Sequence, residues 1–310
     1  MKVTALAGGV GGAKLLVGLQ ALPDVELTAI VNTGDDAEMY GVHVSPDLDI
    51  VTYWLAGLAD LDRGWGIKGD TWTVVDGLAE LGAEAWFRLG DRDFATCIYR
   101  TERLKQRASL TIVTDEIRRS LGVPTTLLPM SDDPVRTIIT TEDGTLLEFQ
   151  EYFVRDRQKP LVAAVTFEGL VDAKPAPGIL DALAEADEVI LCPSNPVVSL
   201  GPILALPGVR ETLAAHPRVV AVTPIIKGAP LKGPADKLLK ALGKEVSASG
   251  VAGIYADFCK LFVVDASDPG EVARVEATGV VAMSTDTIMT DLGASERVAR
   301  AVLEAGASLA

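Results

Sequence analysis

Short aliphatic runs alternate with longer helical patterns along most of this chain, the rhythm of buried parallel strands joined by crossover helices. The runs at Lys2–Ala7, Leu27–Thr33, Thr125–Pro129, Val162–Phe167, Glu188–Cys192 and Val219–Thr223 read as strands of one parallel sheet. Between Leu48 and Leu121 the pattern changes to helix-length segments, with leucine-bearing stretches at Ala56–Leu61, Trp72–Leu81 and Ala108–Ser120. Arg136–Thr141 and Thr145–Val154 alternate on either side of Asp143-Gly144, which predicts an antiparallel hairpin beside the main sheet. A last helix, from about Ser295 to Ala305, covers one face. The expected fold is α/β: a single domain over 1–310 with a doubly wound, mainly parallel Rossmann-like sheet, a β-hairpin, and a mainly helical insertion at 48–121.

Composition narrows the partners. With 310 residues, 48% hydrophobic and only 5% aromatic, the chain can bury a large aliphatic core. A formal charge of −15 disfavours duplex nucleic acid or an anionic membrane, which bind through many phosphates at once. Small phosphorylated ligands stay open to it through local cations. Cys97, Cys192 and Cys259 are odd in number and lack paired spacing, so they read as reduced core residues. No apolar stretch approaches the roughly 18 residues of a membrane span, and no signal-peptide pattern opens the chain, so a cytoplasmic protein is expected. His43 and His216 lack metal-ligand spacing.

The most pointed local feature is Gly8-Gly-Val-Gly-Gly-Ala-Lys14, between the first strand and a helix. Gly9, Gly11 and Gly12 would let backbone amides approach an anion at a helix N-terminus, and Lys14 adds a full positive charge. The spacing is not that of a Walker loop, because Leu15 stands where a magnesium-binding hydroxyl is needed. It also departs from the dinucleotide fingerprint, which wants its third glycine at position 14. The competing reading is a tight strand-to-helix turn with no ligand.

In a doubly wound sheet the functional groups gather at the carboxyl ends of strands. Three polar turns fall there: Asn32-Thr-Gly-Asp-Asp36, Met130-Ser-Asp-Asp-Pro134 and Pro193-Ser-Asn-Pro196. Asp35 and Asp36 either hold magnesium, bind a ribose hydroxyl or cap the turn, and Asp132 and Asp133 carry the same ambiguity. In Ser45-Pro-Asp-Leu-Asp49, Asp47 is expected to cap a helix and Asp49 to project towards a ligand. Trp86-Phe-Arg-Leu-Gly-Asp-Arg-Asp93 mixes aromatic and charged groups, suited either to a planar ring with a charged substituent or to a helix end knitted by ion pairs.

These motifs occur in order with Val31-Asn-Thr33, Leu128-Pro-Met-Ser-Asp-Asp-Pro134, Ser199-Leu-Gly-Pro-Ile203, Val222-Thr-Pro-Ile-Ile226 and Asp286-Thr-Ile-Met-Thr290. The series resembles the 2-phospho-L-lactate transferase family, CofD/FbiA, over nearly the whole chain. The resemblance implies a step in coenzyme F420 biosynthesis: transfer of a phospho-organic-acid group from a guanosine diphosphate conjugate to the ribityl hydroxyl of 7,8-didemethyl-8-hydroxy-5-deazariboflavin (Fo), releasing GMP. It implies Mg2+ as cofactor and a homodimer. It assigns Asp49 and Arg88 to Fo, the latter a position where lysine can occur in relatives, with Asp49 orienting or deprotonating the acceptor hydroxyl. Gly9, Gly11, Gly12, Lys14 and Asn195 would hold the nucleotide and its phosphates, and Asp35 and Asp36 the metal. The acid carried by the donor, lactate, enolpyruvate or glycerate, is left open. The alternative is a YvcK-like sugar-nucleotide-binding regulatory protein, which would share the glycine-rich opening without needing the Ser45–Asp49 and Leu89–Asp93 motifs.

Overall fold

A computed structural model describes residues 1–309. Seven strands form an all-parallel sheet: β1 (Lys2–Ala7), β2 (Glu26–Val31), β3 (Thr126–Pro129), β4 (Glu188–Leu191), β5 (Val219–Val222), β6 (Leu261–Asp265) and β7 (Val281–Thr285). Their spatial order is β7-β6-β5-β4-β1-β2-β3, so winding reverses between β1 and β4. That pair is the topological switch point, where a doubly wound sheet opens a crevice. Every residue of β4, β5 and β6 is buried, which explains the unbroken aliphatic runs. Successive side chains feed opposite faces: Leu6, Ile30 and Leu191 enter one core, and Ala5, Ala29 and Ile190 the other.

The helix α1 (Gly9–Gln20) crosses the C-terminal helix Leu292–Ala307 closely. A Cβ on Gly18 would lie 2.2 Å from the Ser295 carbonyl oxygen, so only glycine permits that approach. Four helices fill the stretch after β2: α2 (Pro46–Leu55), α3 (Thr73–Glu80), α4 (Asp91–Lys105) and α5 (Leu110–Ser120). Ala56–Leu61, expected to be helical, is instead a set of turns, because α2 ends at Leu55 and Gly57 takes φ +68°. A small separate core of Val42, Val44, Val75, Leu89, Phe94 and Cys97 holds α3 and α4 to the hairpin Ala37–Met39/Val42–Val44.

The hairpin predicted about Asp143-Gly144 forms from Arg136–Thr141 and Leu146–Glu148, and its chain then turns into a π-helical segment at Glu151–Arg155. Val162–Glu168 departs from expectation. It pairs antiparallel with Arg136–Thr141 in a separate three-stranded sheet. None of its residues is fully buried, so its aliphatic side chains cover one side of a partly solvated sheet. All three cysteines are buried free thiols, as expected. Among the described residues no helix is long and apolar enough to cross a membrane.

Candidate functional site

A cavity of about 600 Å³ opens where the turns after β1 and β4 diverge. The β1–α1 turn is packed to backbone contact: a Cβ on Gly11 would sit 2.4 Å from the Pro193 carbonyl oxygen, and one on Gly12 2.6 Å from Ser194 Oγ. Ser194 Oγ ties the two turns together, accepting from Gly8 N–H at 3.0 Å and donating to the Gly8 carbonyl at 2.8 Å. Gly9 adopts φ +63° and donates its N–H to Asp47 Oδ1 at 2.7 Å. Gly9 and Gly11 line the cavity, whereas Gly12 lies behind its wall. Asn195 lines it too, while its Oδ1 accepts from the Val197 and Val198 amides and fixes the turn.

Lys14 reaches the cavity from α1, donating to the Met289 carbonyl at 2.7 Å and lying 5.8 Å from the Trp54 ring centroid. Burial and the neighbouring Lys232 lower its pKa. Lys232 and Arg63 also line the cavity, and Lys232 Nζ donates to the Arg63 carbonyl at 3.4 Å. Sequence reasoning missed both, since each is a solitary base in a glycine-rich loop.

The predicted Asp35/Asp36 pair is split. Asp35 lines the cavity, but Asp36 turns away, accepting from Ser45 Oγ at 2.7 Å and lying 2.9 Å from His43 Nε2. Asp47 stands where Asp36 was expected. It caps no helix of its own; instead it and Asp35 accept from the same Asn32 amide nitrogen, at 2.9 and 2.8 Å. Burial pushes Asp47 up to about 6, and burial together with Asp47 and Asp36 raises Asp35 well above the usual carboxylate range. Two buried carboxylates sharing one amide, with no basic side chain bonded to either among the described residues, form a hard-oxygen set that fits Mg2+.

Two residues further along α2, Asp49 forms a buried ion pair with Arg100 of α4. Nη1 donates to Oδ2 at 3.1 Å and Nη2 to Oδ1. Beside it Tyr53 donates its hydroxyl to Asp93 Oδ1 at 2.8 Å. Burial, reinforced by Asp49, pushes Asp93 up to about 7. Asp49, Asp93 and Cys97 bring possible ligand atoms within 4.8 Å of one another, but the Arg100 guanidinium already neutralises this cluster. Asp93 reaches its place because Asp70 caps the start of α4, accepting from the Arg92 and Asp93 amides.

The remaining wall is aromatic and cationic. Arg88 donates to Asp76 Oδ1 at 2.6 Å and lies 5.2 Å from the Trp72 centroid. Arg63 lies 4.8 Å from Trp72 and 5.2 Å from Trp65, and Phe149 stacks on Phe153 at 5.5 Å. Gly9, Gly11, Lys14, Asp35, Asp49, Arg88 and Asn195, predicted from separate motifs, thus surround one cavity.

A family model described as 2-phospho-L-lactate transferase CofD matches residues 3–303. A phosphoenolpyruvate transferase of Kitasatospora aureofaciens is 47% identical, covering 98% of this chain and 97% of its own. A 2-phospho-L-lactate transferase of Methanosarcina mazei is 43% identical, covering 96% and 98%. Among solved structures, a member of the UPF0052 family from Bacillus halodurans shares the fold with a TM-score of 0.66 at 18% identity, covering 97% of this chain and 98% of that one.

Proposed function

The chain belongs to the 2-phospho-L-lactate transferase (CofD) family of coenzyme F420 biosynthesis, and from that premise we propose that it transfers a 2-phospholactyl or enolpyruvyl-phosphate group from a guanosine diphosphate conjugate to the ribityl hydroxyl of Fo, releasing GMP. The observation that carries this reading is one cavity with two chemically different walls. Glycine backbone, Lys14 and Lys232 suit a diphosphate, and Trp65, Phe87, Arg63 and Arg88 suit a flat anionic ring.

Such a transfer depends on placement and charge neutralisation, since the hydroxyl must approach phosphorus in line while charge grows on the departing guanylate. Lys14 and Lys232 counter that charge. Asp35 and Asp47 would hold Mg2+, which supplies further neutralisation of the diphosphate oxygens when bound. Asp49, fixed by Arg100, presents a rigid acceptor to a ribityl hydroxyl, and Arg88 faces the ring.

The test is to incubate the protein with Fo, Mg2+ and each candidate donor, lactyl, enolpyruvyl or glyceryl, and to weigh the products. One donor should yield the phosphodiester of Fo together with stoichiometric GMP. No Fo fluorescence change on titration, together with tight binding of a UDP-sugar, would instead mark a sugar-nucleotide-binding protein.

A further inference from the structure

Four carboxylates line the cavity: Asp35, Asp47, Asp49 and Asp93. Their hydrogen bonds separate them. Asp35 receives Asn32 on one oxygen and Gln150 on the other, Asp47 receives the Gly9 amide and Asn32, and both oxygens of Asp49 are taken by Arg100. Asp93 receives only Tyr53, on Oδ1. Among the described residues Oδ2 of Asp93 is therefore the one cavity-lining carboxylate oxygen without a protein donor.

We propose that Asp93 is the catalytic base, taking the proton from the attacking ribityl hydroxyl through Oδ2, with Asp49 left as a fixed positioning charge. This assignment rests on the transferase reading above. The placement is favourable because α2 links the two halves of the chemistry. Asp47 meets the glycine turn and Asp49 meets Asp93, and these two helix residues differ by about 3 Å of rise. As the hydroxyl oxygen bonds to the phosphorus that carries the organic acid, the bond from that phosphorus to the guanylate oxygen breaks. The electron pair leaves with GMP, the proton passes to Asp93, and solvent takes it afterwards.

The groups facing Asp93 set when it can act. Asp49 and Tyr53 come from α2, Asp70 from the loop before α3, and Cys97 and Arg100 from α4. Burial, Asp49 and Asp70 favour the protonated form, while Tyr53 and Arg100 favour the anion, and the balance lies at about 7. A base of that strength is half ionised at neutral pH yet strong enough to pull a proton.

The experiment is a pH profile of kcat for wild-type protein, Asp93→Asn and Tyr53→Phe with Fo, Mg2+ and the active donor, with Fo binding followed by fluorescence. Wild-type kcat should rise through about pH 7 and then level, and Asp93→Asn should lose at least about 100-fold in kcat, with its acidic limb gone and Fo affinity kept. Tyr53→Phe removes a bond to the anion, so its acidic limb should move to higher pH, a shift that a purely structural role would not give. An active wild type beside an Asp93→Asn variant that keeps its rate or its acidic limb overturns the assignment alone. Wild-type protein inactive with every donor overturns the transferase reading and the assignment with it. If Asp93→Asn does not fold, the Tyr53→Phe profile decides: a limb at unchanged pH overturns the proposal.

Discussion

The partner of Asp49 lies 51 positions away on another helix, and that distance separates what was readable from what was not. Asp49 stood in a short polar turn before an apolar helix, so its placement at the cavity was visible in the sequence. Arg100 is one base in a helix of mostly charged and polar residues, and nothing local marks it as buried. Breaking this pair strands a charge in the interior. Arg100→Ala should therefore lower unfolding stability by about 3–5 kcal/mol in urea titrations, and Asp49→Asn combined with Arg100→Met should recover much of it. Glu188 at the start of β4 is the opposite case, a buried carboxyl whose two oxygens have no partner among the described residues, pushed up to about 8 by burial. Because its folded pKa is raised, stability is full below about pH 4.5 and is lost as pH rises towards 8. Glu188→Gln removes that loss, so the Tm advantage of the variant over wild type should widen from pH 5 to pH 8 in thermal melts.

At the scale of elements, the β1–α1 turn was legible as a glycine-rich strand-to-helix junction, but its glycines serve two purposes that composition does not separate. Gly11 brings the turn onto the Pro193 carbonyl, and Gly18, one helix face further on, brings α1 onto Ser295. Each closes to about 2.4 Å or less of backbone once a Cβ is added, so neither neighbour can yield cheaply. Gly11→Ala and Gly18→Ala should each destabilise by about 1–3 kcal/mol in denaturant titrations, the usual cost of overpacking. Only Gly11→Ala should also weaken binding of GDP, measured by calorimetry, because only its turn borders the cavity. Equal losses of GDP affinity in both variants would mean the glycine turn has no ligand of its own. The strand β7 and helix α4 went unread for a related reason. β7 is only partly buried and α4 is polar along most of its length, so each depends on neighbours rather than on its own periodicity.

For the whole molecule, the doubly wound parallel class followed from the alternation of aliphatic runs and helices, whereas the three-stranded side sheet did not, since Val162–Glu168 carries the same residue types as a core strand and differs only in what covers it. Charge is the other global property, and its sign opposes the proposed donor. The chain carries −15, yet the cavity places Lys14, Arg63, Arg88 and Lys232 along its wall. A diphosphate approaching at low ionic strength, where the Debye length is about 30 Å, meets the repulsion of the entire surface. Near 0.15 M that length falls to about 8 Å, which screens the distant acids while the partly buried cations stay effective at contact. The association rate of GDP should therefore rise, not fall, as salt increases from about 0.01 to about 0.15 M, followed by stopped-flow tryptophan fluorescence. Lys232→Ala should bind GDP about tenfold more weakly yet keep the same upward salt trend, because the trend belongs to the remote carboxylates and the affinity to the local clamp. A rate that drops steadily with salt would place control of capture in the cavity alone and leave the global charge without influence on it.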